Sequence, residues 1–226
     1  IIFITVLHNA VIKRTEETVT KQIEGVSERI LSCAKEEFLE KGFSEASLRS
    51  IAAKAGTTTG SIYSRFRNKE GLFSAIVEPA ADAIVQMFQK TQENFHAVDA
   101  DEQPKVMNEY VNNGMDEMLE FIYDNFEAFQ LLLDASYGTK YHDFVERLVE
   151  IETEYTYKFM ETIDFQQDPE HFITEEFIHI MTRAMFESMF EVVRHHMEKE
   201  KARKYLRMLE AYHYGGWNTI YHFDER

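Results

Sequence analysis

Between residues 46 and 73 the chain reads ASLRSIAAKAGTTTGSIYSRFRNKEGLF, and its polar residues are of the kinds that contact duplex nucleic acid. Thr59, Ser61, Tyr63, Ser64 and Arg65 cluster around the start and outer face of one short segment. Hydroxyls of this sort bond phosphates or base edges, and an arginine fork matches guanine. Gly60 among them lets the backbone come close to a groove. Arg49 stands on the preceding segment, Ser47 and Thr58 stand at the two segment starts, and Lys69 follows just beyond. We expect Arg49 and Thr59 at base edges, Tyr63 at base or backbone, and Ser47, Thr58, Ser61 and Lys69 on phosphates. An ordinary helical hairpin with a polar face would carry some of the same features.

These side chains need rigid elements behind them, and the apolar spacing supplies two short helices. Leu48, Ile51, Ala52 and Ala55 recur at three and four residues, then Ile62 and Phe66 four apart. Ser47 and Thr58 are placed to cap the two helices, Gly56 permits the turn between them, and Asn68 is placed to cap a third helix from Lys69. An earlier helix, running to about Lys41 and ending at Gly42, offers Val26, Ile30, Ala34 and Phe38 as a covering face. The arrangement is a helix-turn-helix.

The run Ile51, Ala52, Ala55-Gly56, Thr58, Gly60-Ser61-Ile62-Tyr63, Phe66, Lys69-Glu70 and Leu72 resembles the N-terminal signature of the TetR (tetracycline-repressor-like) family of bacterial transcription regulators. It differs from the family pattern at Thr57 and at Ser64-Arg65. The resemblance implies a dimeric repressor whose C-terminal helices bind a small effector and whose recognition helices then shift apart. It also implies that the last two helices make the dimer.

Three prolines, nine glycines and little strand-like alternation in 226 residues describe an all-α chain. The expected division is an arm over 1–20, a three-helix DNA-binding domain with helix-turn-helix over 21–70, and a larger helical effector-binding and dimerisation domain over 71–226. A net charge of −16 argues against phosphate binding until its distribution is read. Residues 1–73 hold 11 Lys and Arg against 9 Asp and Glu, and the rest holds 13 against 31. The acid lies downstream of the reading head, where it steers DNA to the basic end or keeps a helical body soluble. Lys13, Arg14 and Lys21 stand ahead of the first helix, as a phosphate-reaching arm or as a solvated tail. The single cysteine, Cys33, excludes an internal disulfide and a cysteine zinc cluster. With no export signal in view, a cytoplasmic protein is expected; the apolar Ile1–Val6 is too short to span a bilayer.

From Lys69 a long helix carries Leu72, Phe73, Ile76, Val77, Ile84, Val85 and Phe88 past Pro79, with a loop over 94–104 after it. Further helices are expected at about 104–123, 125–134, 139–165, 169–198 (capped by Asp168, with Pro169 first) and 200–222. The middle helices are rich in soft and aromatic side chains. Met87, Phe88, Met107, Tyr110, Met118, Phe121, Phe129, Tyr141, Phe144 and Phe159 are expected around an apolar or aromatic effector, although most such residues serve a core. The last two helices offer Phe177, Met181, Met185, Met189, Tyr205, Leu209, Tyr212, Trp217 and Ile220 for an interface with a second copy, beside Gly215-Gly216.

No glycine-rich phosphate loop, nucleophile elbow or metalloprotease His-Glu pair occurs, so neither enzyme nor cofactor is expected. His171, Glu175 and His179 form an every-fourth row that gives one ion only two comfortable ligands. Arg194, Lys199, Lys201, Arg203, Lys204 and Arg207 read as a turn that neutralises nearby acids. The expected partners are double-stranded operator DNA, a small apolar or aromatic effector and a second copy of the chain, with no membrane. A regulator of the same fold governed by a protein partner or a metal is the alternative. A helical enzyme or carrier that shares the head is the more distant one.

Overall fold

The structure is a computed structural model that describes residues 25–165 and 173–221. Among these residues there are nine helices and no strand, as the composition implied. They are α1 (25–45), α2 (Leu48–Lys54), α3 (Thr59–Phe66), α4 (Lys69–His96), α5 (Gln103–Asp124), α6 (Phe126–Asp134), α7 (Phe144–Thr162), α8 (Glu175–Arg194) and α9 (Lys199–Tyr221). The helices form two compact units, divided between Ile76 and Val77, so that α4 begins in the first and continues into the second. The arm residues Lys13, Arg14 and Lys21 lie outside the described residues.

In the first unit, Ile30, Ala34 and Phe38 from α1 meet Ile51, Ala52, Ile62, Leu72 and Phe73 in a fully enclosed core. The Phe38 and Phe73 rings pack edge to face with centroids 5.1 Å apart, a geometry that suits their quadrupoles. The expected break in α1 falls at Gly42, whose φ of 71° is left-handed, and one further turn follows it, closed by Ala46 N–H donating to Gly42 O at 3.2 Å. The α3–α4 joint is tight. Asn68 N–H donates to Phe66 O at 2.8 Å across Arg67, whose φ is 68°, which makes a γ-turn. Asn68 Oδ1 then accepts Gly71 N–H at 2.7 Å, the expected cap. A Cβ on Gly71 would stand 2.0 Å from Phe66 O, so only glycine fits there.

The second unit packs α7 and α6 on α8, and α5 and α8 on α9. Its core holds Leu119, Ile122, Phe129, Leu131, Leu148, Phe186 and Phe190. Helix α9 is also tied to α5 by charge: Lys199 and Arg203 pair with Glu120, and Arg203 and Arg207 with Asp116. Arg194 likewise pairs with Asp134, Glu187 and Glu191, so these four members of the basic cluster neutralise neighbouring acids.

Two expected helices start later than the periodicity predicts. Helix α7 begins at Phe144 rather than 139. Thr139 N–H bonds Ser136 O, Tyr141 N–H bonds the Thr139 hydroxyl and Phe144 N–H bonds Tyr141 O, local bonds that compete with a helix. Helix α8 begins at Glu175, where the Thr174 hydroxyl accepts Phe177 N–H at 3.1 Å. Asp168 and Pro169 lie outside the described residues. Helix α8 also stops at Arg194, short of 198, as His196 turns to a φ of 47°.

Helix α4 is long and apolar enough by composition to cross a bilayer. Its apolar side chains instead pack within protein, Leu72 and Phe73 in the first unit and Val77, Ala81 and Ile84 in the second.

Candidate functional site

In the first unit α2 and α3 turn at Gly56, whose φ of 63° an L side chain would resist. Both helix starts are capped as their sequence requires: Ser47 Oγ accepts Ser50 N–H at 3.4 Å, and Thr58 Oγ1 accepts Ser61 N–H at 3.2 Å. With Ile62 fully buried, the other side of α3 presents Gly60, Tyr63 and Ser64 to solvent, and Arg49 is exposed on α2. Burial of one apolar residue thus fixes which side chains face outward. Behind them a buried carboxylate locks α2 to α1. Glu37 accepts Lys41 Nζ at 2.7 Å, Ser50 Oγ at 2.8 Å, Lys54 Nζ at 3.2 Å and Ser47 N–H at 3.4 Å. The Lys41 hydrogen bond above all, helped by Ser50, Lys54 and Ser47 and opposed by burial, pulls its carboxyl from 4.5 to about 2.

The second unit encloses a cavity of 220 Å³ between α4, α5, α7, α8 and α9. Its wall is mostly carbon and ring: Phe88 and Phe95 from α4, Met107, Tyr110, Met115 and Met118 from α5, Tyr155 and Phe159 from α7, Met181, Met185, Phe186 and Met189 from α8, Leu209, Tyr214 and Trp217 from α9. Polar groups enter at few points, namely Thr91, Gln92, His96, Glu152, Thr156, Thr182, Glu210 and His213. Burial pushes the Glu152 carboxyl up to about 7 and raises Glu210, and it lowers His96 and His213, in each case favouring the neutral form. An apolar chamber with a few polar points is the usual make-up of a small-molecule site.

Residues 30–76 match the pattern that defines "Bacterial regulatory proteins, tetR family". These residues are thus a DNA-binding head of the tetR-family type. It is 35% identical over 71 residues to the HTH-type transcriptional regulator UidR of Escherichia coli, covering 31% of this chain and 36% of that one. It is 45% identical over 58 residues to the uncharacterised HTH-type regulator YvdT of Bacillus subtilis, covering 26% and 30%. The alignment thus spans about a third of the length of these curated relatives. Among solved structures, the TetR-family regulator PfmR of Thermus thermophilus superposes with a TM-score of 0.56 at 20% identity, over 81% of this chain and 97% of that one. SmeT, the repressor of the Stenotrophomonas maltophilia multidrug efflux pump SmeDEF, does so with 0.56 at 19% identity, over 82% and 88%. These likenesses establish the all-α fold of a helix-turn-helix head followed by a larger helical domain.

Within the tetR-type head the candidate DNA residues fall into two groups. Thr59, Gly60, Tyr63 and Ser64 stand on the outward side or at the start of α3, and Arg49 is exposed on α2. Ser64 also bonds Ser61 O at 3.0 Å. Arg65 is folded inward instead: Nε donates to Ser27 Oγ at 3.2 Å and Nη1 to Ser61 Oγ at 2.6 Å and Ser61 O at 3.2 Å, so its fork is spent tying α3 to α1. Lys69 Nζ donates to Ser44 O at 2.9 Å and Ala46 O at 3.2 Å and sits 4.6 Å from the Phe43 ring centre, where it holds the α1–α2 loop.

In the second unit the cavity takes in Phe88, Met107, Tyr110, Met118 and Phe159 from the expected effector set. The other five lie elsewhere. Met87 borders a shallow depression with Lys90 and Glu117. Phe129 and Phe144 stack with Phe190, Phe121 packs on Phe129, and Tyr141 is buried in the turn before α7, so all four serve the core. Five residues expected in the interface, Met181, Met185, Met189, Leu209 and Trp217, line the cavity from inside. Tyr205 Oη donates to Ser188 O at 2.9 Å, which ties α9 to α8, and Ile220 packs with Met160, Ile173 and Ile178. Phe177 and Tyr212 remain exposed, joined by Ile180, Met208 and Tyr214. A stripe wide enough to serve two faces looks the same in sequence whichever face meets solvent, which explains the exchange. Glu152, Gln92, His96, Glu210 and His213 were not anticipated. Their sequence signal is a polar residue in phase with an apolar stripe, as Glu152 is with Tyr155 and Phe159 at three- and four-residue steps.

Of the row His171, Glu175 and His179, the first lies outside the described residues. His179 stands 3.7 Å from Glu146, whose other oxygen bonds Arg183 at 2.5 Å.

Proposed function

We propose that this protein is a ligand-responsive transcription regulator, a repressor, that binds a palindromic operator as a homodimer and leaves it when a small effector fills the cavity. The observation that carries the reading is the course of α4. Its first turns belong to the tetR-type head, and its later residues Phe88, Thr91, Gln92, Phe95 and His96 wall the cavity. A ligand that fits one setting of this helix better than another shifts the population of head conformations, by no more than its differential affinity.

Dimerisation is supported by what α8 and α9 leave outside. The Tyr205–Ser188 bond and the Phe177–Trp217 ring contact set the antiparallel register of these helices. By that register Ile180 and Ala184 stand level with the stretch from Met208 to Tyr214. Phe177, Ile180 and Ala184 on one helix, and Met208, Tyr212 and Gly215 on the other, then form one exposed apolar face of the sort that a second copy covers. Two copies would present two heads to two half-sites. Repression, rather than activation, is the sign for which fold relatives such as SmeT provide the precedent.

The test is a selection on randomised duplexes followed by titration with and without ligand. The reading requires a pseudo-palindromic site, and it requires operator to weaken ligand binding by the same factor that ligand weakens operator binding. Equal ligand affinity for free and operator-bound protein removes the induction mechanism.

A further inference from the structure

One carboxyl group in the cavity has no cation to meet it. Glu152 Oε2 accepts the Gln92 amide, and Oε1 has no partner among the described residues. The side chains around the same space are His96 on α4, Tyr110 on α5, Tyr155 on α7 itself, and Glu210, His213 and Tyr214 on α9; α8 contributes uncharged residues alone. Among the described residues neither lysine nor arginine lines the wall. Two cations close to the wall are paired elsewhere: Lys158 lies over the Tyr155 ring and pairs with Glu154, and Arg207 pairs with Asp116. The described residues therefore give the chamber two carboxyls, rings that present negative faces, and no fixed positive charge.

We propose that the cavity selects an organic cation, a compact aromatic or cyclic amine in its ammonium form, with Glu152 as its counter-ion and Phe88, Phe95, Tyr155 and Trp217 as its aromatic wall. The proposal rests on the reading of the cavity as the effector site and names the chemical class it takes. An anion would meet carboxyls and no positive donor. A neutral ligand would leave Glu152 as it is. A cation supplies the charge that makes ionised Glu152 tolerable in an apolar chamber, and the ring faces add cation–π attraction.

The exchange balances. Burial holds the Glu152 carboxyl near 7 in the empty chamber, so close to neutral pH much of it carries a proton. When an ammonium ion enters, the O–H bond of that carboxyl breaks, its proton leaves to solvent, and a carboxylate–ammonium pair remains with no change in total charge. Occupancy lowers the carboxyl, so affinity rises with pH up to about 7 and levels off above it. His96 and His213 are held below their ordinary values by burial and are neutral in that range. Their protonation at lower pH acts in the same direction, and a Glu152 variant separates the two contributions.

The experiment is calorimetry on the full chain with phenethylamine, tryptamine and benzyltrimethylammonium, set against phenethyl alcohol and hydrocinnamate. Each is titrated about one pH unit below and above the Glu152 midpoint, in buffers of different ionisation heat. At least one amine should bind, about tenfold more tightly at the higher pH, with proton release seen in the buffer dependence. Benzyltrimethylammonium, whose charge cannot titrate, should show the same pH trend and so place the titrating group in the protein. Glu152→Gln should abolish that trend and weaken the cations at least about tenfold at the higher pH, while phenethyl alcohol changes less than about twofold. The variant's thermal melt at the lower pH should match the parent, since protonated Glu and Gln are near-isosteres. Tighter binding of the alcohol or of hydrocinnamate than of every amine overturns the cation assignment and leaves the cavity an effector site. Binding of none of them overturns both.

Discussion

Glu37→Gln tests the physical basis of the reading head more sharply than any surface substitution. The parent carboxylate takes four hydrogen bonds while fully buried. The fall from 4.5 to about 2 corresponds to about 3 kcal/mol, at about 1.4 kcal/mol per tenfold change. Lys41 and Lys54 reach it with side chains 38% and 43% exposed, so solvent screening reduces the contribution to about 1–2 kcal/mol. The sign follows from a depressed folded-state value: the contribution is complete above 4.5 and is lost as pH falls from there toward 2. Glutamine keeps one acceptor but turns an N–H₂ toward Ser50 and Lys54, and it carries no charge at any pH. Methyl resonances of Ile30, Ile51 and Ile62, followed through urea titrations of the full chain at a series of pH values, report on this unit alone. The variant should lose about 1–2 kcal/mol near neutrality, and the gap should close as the parent's own carboxylate protonates. A gap that stays constant down to pH about 3, or a variant more stable than the parent at neutrality, would refute the argument.

Gly71→Ala should unseat the γ-turn and lower the head's stability by about 1–3 kcal/mol, measured by the same methyl signals, because its Cβ has no room against Phe66 O. Arg49→Ala should cost about 1–3 kcal/mol per half-site and relax one base position, read by titration against single-base variants of the selected operator. Lys69→Met should lower the stability of the head by about 1 kcal/mol and leave the salt dependence of operator binding nearly unchanged, since its ammonium sits on two carbonyls; a salt slope reduced by a full phosphate contact would restore it to the backbone-binding set. Met208→Glu should shift the protein to monomer in sedimentation with helical content retained, because that side chain is 75% exposed in the middle of the apolar face.

The head was legible because its signals are local. A cap three residues before its amide, a glycine at a positive φ and an apolar step of four each specify geometry within one turn of chain, and Ser47, Thr58, Gly56 and Ile62 all occupy the places these rules gave them. The fate of a flexible cation was not legible. Nothing near Arg65 in sequence announces Ser27, which sits 38 residues earlier. The second unit shows the same limit on a larger scale. Met181, Met185 and Met189 step by four along α8, and that spacing defines a stripe but not the partner across from it. Whether a stripe faces a cavity, a core or a second copy depends on which helices pack around it. Glu152 was overlooked because a lone acid on a helix is usually solvated, and only the surrounding rings make it otherwise.

The joint between α3 and α4 has a mechanical meaning. Two residues separate the helices, one of them pinned in a γ-turn and the other bonded by its side chain to the next turn, while Phe66 O rests where any side chain on Gly71 would be. Such a coupling has almost no backlash. A longer, looser connection would absorb a small rotation of the first turn of α4 in its own torsions. This one hands the rotation to α3 nearly undiminished, so a twist of a few degrees becomes a displacement of Tyr63 on the outer side of that helix.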